Sequence, residues 1–407
     1  MLPSMRLRLR AACAATAAVL LGAAAATGAD AVQDFIRRHW SQPLTPQGSP
    51  PARFSPLEAS LDPESCGTCH PAQFADWRES AHAAASGPGV AGQLVEMRES
   101  DPSSAHACLV CHAPLAEQGP FVAVGRELRE NADYDPSLAG KGVPCAGCHL
   151  RGHERFGPPR RDGSLTSGTP RETLPHNGVT RTPAFLSAEF CRSCHQFTPD
   201  GFALNGKLLQ ATYDEWKASR FAREGVQCQD CHMPDRRHRW RGIHDADMVR
   251  SGLTITAKAG ATRYRPGELA LVTLRVSSTR IGHAFPTYVT PRVVLSAELV
   301  DTAGQVVAGS RREQVIGREV ALDLSRELAD TRLMPGKSAT LTYRMKIDAR
   351  GVRARVSVVV EPDAFYVAFF DTLLRQGAGR GEAQIRQALE AARRSPFTLF
   401  ERELPLS

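Results

Sequence analysis

The sequence predicts a multidomain α + β protein: a mainly helical and irregular N-terminal region, then an antiparallel immunoglobulin-like β-sandwich, then C-terminal helices. Three observations carry that reading. Ten of the 11 cysteines lie between Cys66 and Cys231, among short helical patches broken by Pro/Gly-rich loops. After residue 250 the composition turns to short β-branched runs separated by turn residues. From Asp363 onward helical periodicity returns.

Residues 1–31 set Arg6, Arg8 and Arg10 before an Ala/Leu-rich run that closes on small residues, the pattern of a secretory signal peptide. Cleavage after Gly28 or Ala31 suits the small-residue rule, and the run is too short to read as a membrane span. Cys13 falls inside this leader and is set aside. The mature protein is therefore expected in the periplasm or at the cell surface, with no membrane span after signal cleavage. Residues 32–60, Pro-, Ser- and Gln-rich from Ser41 onward, read as an extended tether.

Residues 61–250 hold five copies of one pattern: Cys66-x-x-Cys69-His70, Cys108-x-x-Cys111-His112, Cys145-x-x-Cys148-His149, Cys191-x-x-Cys194-His195 and Cys228-x-x-Cys231-His232. An exported chain could form five disulfides from ten cysteines, but the spacing points elsewhere. With 13 histidines in 407 residues, five chance successes have a probability on the order of 10⁻⁸, so the c-type haem attachment signature explains them. Two thiols add to the two vinyl groups of one porphyrin edge, and the next residue brings its imidazole to the iron as proximal ligand. Zinc would need four ligands in all and gives no reason for a histidine after every pair. A thioredoxin-like redox pair would stand singly in a βαβ setting, which is absent. The expected cofactors are five covalent haem c groups. Roughly 190 residues must then enclose five porphyrins, which become much of the hydrophobic core.

Covalent haem also changes the charge argument. The formal charge is +7, and loss of three Arg and Asp30 with the leader takes it to +5. Ten propionates bring the holoprotein towards neutrality, so the runs Arg155–Asp162 and Asp235–Gly242 read as propionate partners, and no nucleic-acid partner is expected.

Eight further histidines of the mature chain could supply second axial ligands. The expected set is His82, His153, His176, His244 and His283, with His238 as the alternate to His244; His39 and His106 are left out. His82 lies twelve residues beyond His70, the offset that also separates His244 from His232. His153, so close behind His149, is held on the same side of that ring and can serve only a neighbouring iron. The same holds for His238 and His244 after His232. His283 lies in Ile281-Gly-His-Ala-Phe-Pro-Thr-Tyr288, where Gly282 and Pro286 would let a rigid interstrand loop offer it to a haem in the preceding domain. Spare histidines outnumber the irons in need, so five six-coordinate haems are expected.

The sandwich is assigned to residues 251–362, with strands over 253–259, 269–277, 292–300, 305–311, 338–347 and 352–360. Residues 363–407 are assigned to two helices broken at Gly377–Gly381.

The opening Cys66-Gly-Thr-Cys-His-Pro-Ala-Gln-Phe-Ala-Asp-Trp-Arg-Glu-Ser-Ala-His82 and the close Cys228-Gln-Asp-Cys-His-Met-Pro-Asp-Arg-Arg-His-Arg-Trp-Arg-Gly-Ile-His-Asp245 resemble the multihaem cytochrome c family that includes cytochrome c-554. The 282–287 loop resembles the distal-histidine loop of such haem domains that carry a C-terminal β-domain. The resemblance implies closely stacked, mostly bis-histidine haem pairs that carry electrons in the periplasm or at the cell surface. A fifth motif and the sandwich depart from the tetrahaem members. Expected partners are redox proteins: a quinol-linked donor, and a terminal reductase or outer-membrane conduit. The alternative is a multihaem reductase acting on nitrite, hydroxylamine or tetrathionate at an open haem. Ammonia-forming nitrite reductases usually carry a C-x-x-C-K active haem, whereas every motif here ends in His, so no catalytic residue is assigned.

Overall fold

The structure, a computed structural model, describes residues 30–41, 44–124, 127–261 and 263–406; the expected signal peptide lies almost wholly outside the described residues. Residues 30–39 form a helix, not an extended tether. Val32, Phe35, Ile36 and His39 recur at helical spacing, and this stripe packs on Ala184, Phe185 and Phe190 with Ile36 and His39 buried. The following strap also lies down on the protein: Leu44 and Gln47 are buried, and the Gln47 amide donates to Glu117 at 2.5 Å.

Every motif occupies a short helical turn: Pro63–Cys69 capped by His70, Pro102–His112, Cys145–His149, Glu189–His195 and Cys228–His232. One turn places the two cysteines, three apart, on the same face, as two bonds to one porphyrin edge require. Pro63, Pro71 and Pro102 sit in first turns, where proline's missing N–H costs nothing. His82 falls in a turn just past the helix Pro71–Arg78, not on it.

Two longer helices, α1 (Pro88–Ser100) and α2 (Pro102–His112), carry the second motif. A C-terminal hairpin of α3 (Ala364–Gln376) and α4 (Glu382–Arg394) packs across α1. The approach needs glycine: a Cβ on Gly381 would lie 2.1 Å from the Gly92 carbonyl oxygen.

The C-terminal half holds two antiparallel sheets. Strands β1 (Leu253–Ala259), β2 (Leu269–Ser278), β3 (Arg292–Val300), β4 (Arg312–Val320), β5 (Glu327–Asp330), β6 (Ser338–Lys346), β7 (Arg353–Glu361) and β8 (Phe397–Pro405) pair in the orders β5-β4-β3-β7-β8 and β6-β2-β1. Val272, Leu274 and Val276 from the smaller sheet share one core with Val293, Leu295, Val356 and Val358 from the larger. Two expectations are corrected. Residues 305–311 form the turn before β4, which was missed because Glu313, Gln314, Gly317 and Arg318 interrupt its apolar pattern. Residues 363–407 are not wholly helical: β8 closes the larger sheet, and its Glu403 pairs with Arg353 and Arg355 of β7 at 2.8 and 3.0 Å.

Candidate multihaem centre

All fifteen cysteines and histidines of the five motifs line one continuous cavity of about 3300 Å³. This is several times the ~300–1,000 Å³ of an ordinary small-molecule site. None of the ten cysteines is in a disulfide, and their placement brings the motifs together: Cys66 lies against Cys145, Cys111 against Cys194, and Cys191 against Cys228. Cys148 lies near enough to Cys191 and Cys194 to act on them electrostatically. Motif one therefore adjoins motif three, and motif four adjoins motifs two, three and five.

The wall suits porphyrins. Aromatic faces such as Phe74, Trp77, Trp216 and Phe221 line it. Arg160, Arg181 and Arg236 gather on one side, where burial first and then the neighbouring guanidinium charges pull the Arg181 pKa down. Three crowded cations at an apolar slot suit the propionates of a haem edge.

Three imidazole pairs face each other across this space. Ring centroids are 6.2 Å apart for His82 and His195, 6.1 Å for His149 and His238, and 6.2 Å for His232 and His283, with interplanar angles of 61°, 35° and 16°. A metal–nitrogen bond of about 2 Å on each side, plus about 1 Å from nitrogen to ring centroid, separates trans imidazoles by about 6 Å. The gaps therefore suit one iron each. His176 and His70 line the same cavity.

Backbone carbonyls orient these rings. The Nδ1 atoms of His112, His149 and His232 hydrogen-bond the carbonyls of Ala85, Phe156 and Arg241 at 2.6–2.8 Å. Those of His176, His238 and His283 bond Gly178, Arg236 and Ala284 at 2.9–3.2 Å. With Nδ1 donating, Nε2 keeps its lone pair for a metal. Burial pushes His82 down to about 3 and His149 and His232 to about 4, so all three are neutral at pH 7, the form a metal accepts. Asp76 fixes the His238 loop, accepting both Arg237 nitrogens at 2.6 Å and the His238 N–H at 3.0 Å. Gly142, at φ +59°, lets its backbone grip the His82 segment; a Cβ there would lie 2.2 Å from the His82 carbonyl oxygen.

Two of the expected distal ligands turn their ring nitrogens to other partners. His153 uses Nε2 on the Gly48 carbonyl at 2.8 Å, and His244 uses Nε2 on the Asp363 carboxylate at 3.0 Å; neither lines the cavity. His238, the alternate, lies near the motif-three histidine His149 instead. His39 likewise commits Nε2, to the Cys148 carbonyl, and His106 lies off the cavity wall. Among the described residues neither His70 nor His112 has another imidazole in ring contact, so such pairs are not found for every motif. Gly282 does not adopt a left-handed backbone; its loop gains rigidity from neighbours.

Comparison with known proteins agrees with this centre. Residues 65–150 match the model of the cytochrome c554 and c-prime family. Cytochrome c-554 of Nitrosomonas europaea is 29% identical over 142 residues, which cover 32% of this chain and about half (54%) of that relative. The crystal structure of a penta-haem cytochrome c552 from Thermochromatium tepidum shares the fold at a TM-score of 0.60 with 18% identity, covering 86% of this chain and 100% of the other. Attachment motifs around one cavity, imidazoles at iron-spanning separation and these likenesses make the chain a multihaem c-type cytochrome that resembles cytochrome c-554 and carries a C-terminal pair of β-sheets.

Proposed function

We propose that this is an exported, periplasmic or cell-surface pentahaem cytochrome that carries electrons between a respiratory donor and a terminal reductase or extracellular acceptor. The observation that carries the reading is the single cavity lined by all five motifs, with cysteines of neighbouring motifs side by side in it. Haem supplies the reversible one-electron chemistry; the chain holds, spaces and insulates it. His70 and His176 would ligate the first iron, His149 and His238 the third, His195 and His82 the fourth, and His232 and His283 the fifth. Domains are assigned to 61–250 for the haems and 251–362 for an immunoglobulin-like sandwich completed by β8. Motif four, adjoining three others, is the junction of the wire. Motifs one, two and five each expose one cysteine, which suits them as its ends. Among the described residues no helix is long and apolar enough to cross a membrane. Intact mass of the exported protein should show five haems, and voltammetry should show reversible waves without catalytic current. Four or fewer haems, with full maturation machinery present, would refute the count.

A second reading, a reductase of small nitrogen or sulfur oxyanions, is favoured by one observation. His112 lacks a facing imidazole, and Tyr288 and Tyr366 line the cavity beside Cys108 with no hydrogen-bond partner for either hydroxyl among the described residues. One high-spin ferric haem per chain, together with a catalytic wave on nitrite, hydroxylamine or tetrathionate, would select this reading. Five low-spin haems would remove it.

A further inference from the structure

We propose that Glu215 is the positioning residue for the fifth iron's distal ligand: it belongs to the haem region, yet it fixes where the β-domain's His283 loop stands. The inference rests on His283 as that ligand and goes one step behind it.

Glu215 lies in the helix Thr212–Lys217, between motifs four and five. One carboxylate oxygen accepts the Ala284 N–H at 3.2 Å and the Thr287 hydroxyl at 3.0 Å, so a single group grips both ends of the segment that follows His283. The other oxygen accepts from Arg332 at 2.9 Å. Thr212, from the same helix, adds a hydroxyl contact to Thr287 at 2.8 Å. Arg332 also pairs with Asp330, and its neighbour Leu333 exchanges two backbone hydrogen bonds of 2.8 Å with Phe285. The loop is thus held between Glu215 on one side and the 330–333 segment on the other.

The ion pair is nearly dry: the Arg332 and Glu215 side chains are 9% and 10% exposed. A buried pair is poor evidence for stability, because desolvation offsets much of its attraction and apolar substitutes often stabilise as well or better. What such a pair supplies is a fixed location, and an axial ligand needs one to within about 0.5 Å. The two rings at issue, His232 and His283, are 6.2 Å apart and nearly coplanar in orientation at 16°. One is set by the haem region and the other comes from a different domain, so a tie between the domains must fix their separation. Glu215 makes that tie within one residue of His283.

Holoprotein variants test this. Glu215→Gln keeps an acceptor oxygen for Ala284 and Thr287, whereas Glu215→Ala removes every contact. In Glu215→Ala the near-parallel low-spin component should shift and carbon monoxide should bind the reduced fifth haem about tenfold faster, with Gln intermediate. The control is Arg318→Met. Arg318 is fully buried and joins the same two regions through Glu327 and the Leu204, Lys207 and Leu208 carbonyls, but it does not touch Glu215. This variant should lose thermal stability and leave the fifth haem's spectrum and carbon monoxide rate unchanged. If Glu215→Ala fails to fold, Thr287→Val, which removes one of the contacts, should shift the same component in the same direction. Equal spectral change in Arg318→Met and Glu215→Ala, or none in the Glu215 and Thr287 variants, would overturn the assignment. His283→Ala separates this from the underlying reading: loss of one low-spin signal there, with no response at Glu215, defeats the positioning role alone.

Discussion

Replacing His283 with alanine should convert one ferric haem in five from low-spin to high-spin. The affected component can be named in advance. Parallel imidazole planes split the iron d orbitals most and give a rhombic low-spin signal; planes turned towards perpendicular give a signal stretched to a large maximum g value. His232 and His283 stand at 16°, His149 and His238 at 35°, and His82 and His195 at 61°. Alanine at 283 should therefore remove the most rhombic component and leave the most stretched one in place. The rest of the loop should stay where it is, because Ala284 and Thr287 keep their bonds to Glu215. Free imidazole should enter the space left and restore the low-spin signal, which separates lost ligation from lost folding. Electron paramagnetic resonance with spin quantitation on protein of verified haem content is the assay. Retention of the near-parallel component in His283→Ala would sink the reasoning.

Other outcomes follow from the same geometry. His153→Ala and His244→Ala should leave every low-spin signal intact, because both rings commit Nε2 to other partners; loss of a signal in either would restore it as a ligand. Asp76→Asn should cost about 1.5–3 kcal/mol by thermal unfolding and perturb only the 35° component, since it weakens charge-assisted bonds that hold the His238 loop. The Arg237 guanidinium holds the Asp76 carboxyl well below the usual carboxylate range, so this clamp is fully present above about pH 4 and is lost only as pH falls through the lowered folded value. Spectra from pH 7 to 5 should accordingly keep the 35° component unchanged. Deleting 397–405 should expose the β7 edge and make the protein aggregate, measured by light scattering.

The attachment chemistry was legible because it is local: two thiols and an imidazole within five residues leave one reading. Ligands across the iron were legible only in part. His82 and His283 lie about 6 Å from motif histidines, whereas His153 and His244 bond elsewhere, because chain offset carries no information on which ring nitrogen is free. What holds the His238 loop is Asp76, distant in sequence. The strands with β-branched runs declared themselves, whereas β4 hid a core position behind Arg318, a buried cation neutralised by Glu327 at 2.9 Å. The helix over 30–39 was obscured by the Pro-rich residues that follow it, although its own apolar spacing was sufficient.

The place of β8 in the larger sheet has a consequence for assembly in time. In a chain exported and modified from its N-terminus, all five motifs would be available for modification before the sandwich exists. With His283 as ligand, the fifth iron completes its coordination only when the sandwich closes, and that sandwich takes its edge strand from residues 397–405. On the proposed assignment the first, third and fourth irons would find their ligands, His176, His238 and His82, within the motif region itself. A maturing chain would therefore have the ligands of three irons to hand early, while the fifth still reports, by its spin state, whether the rest of the polypeptide has arrived and folded.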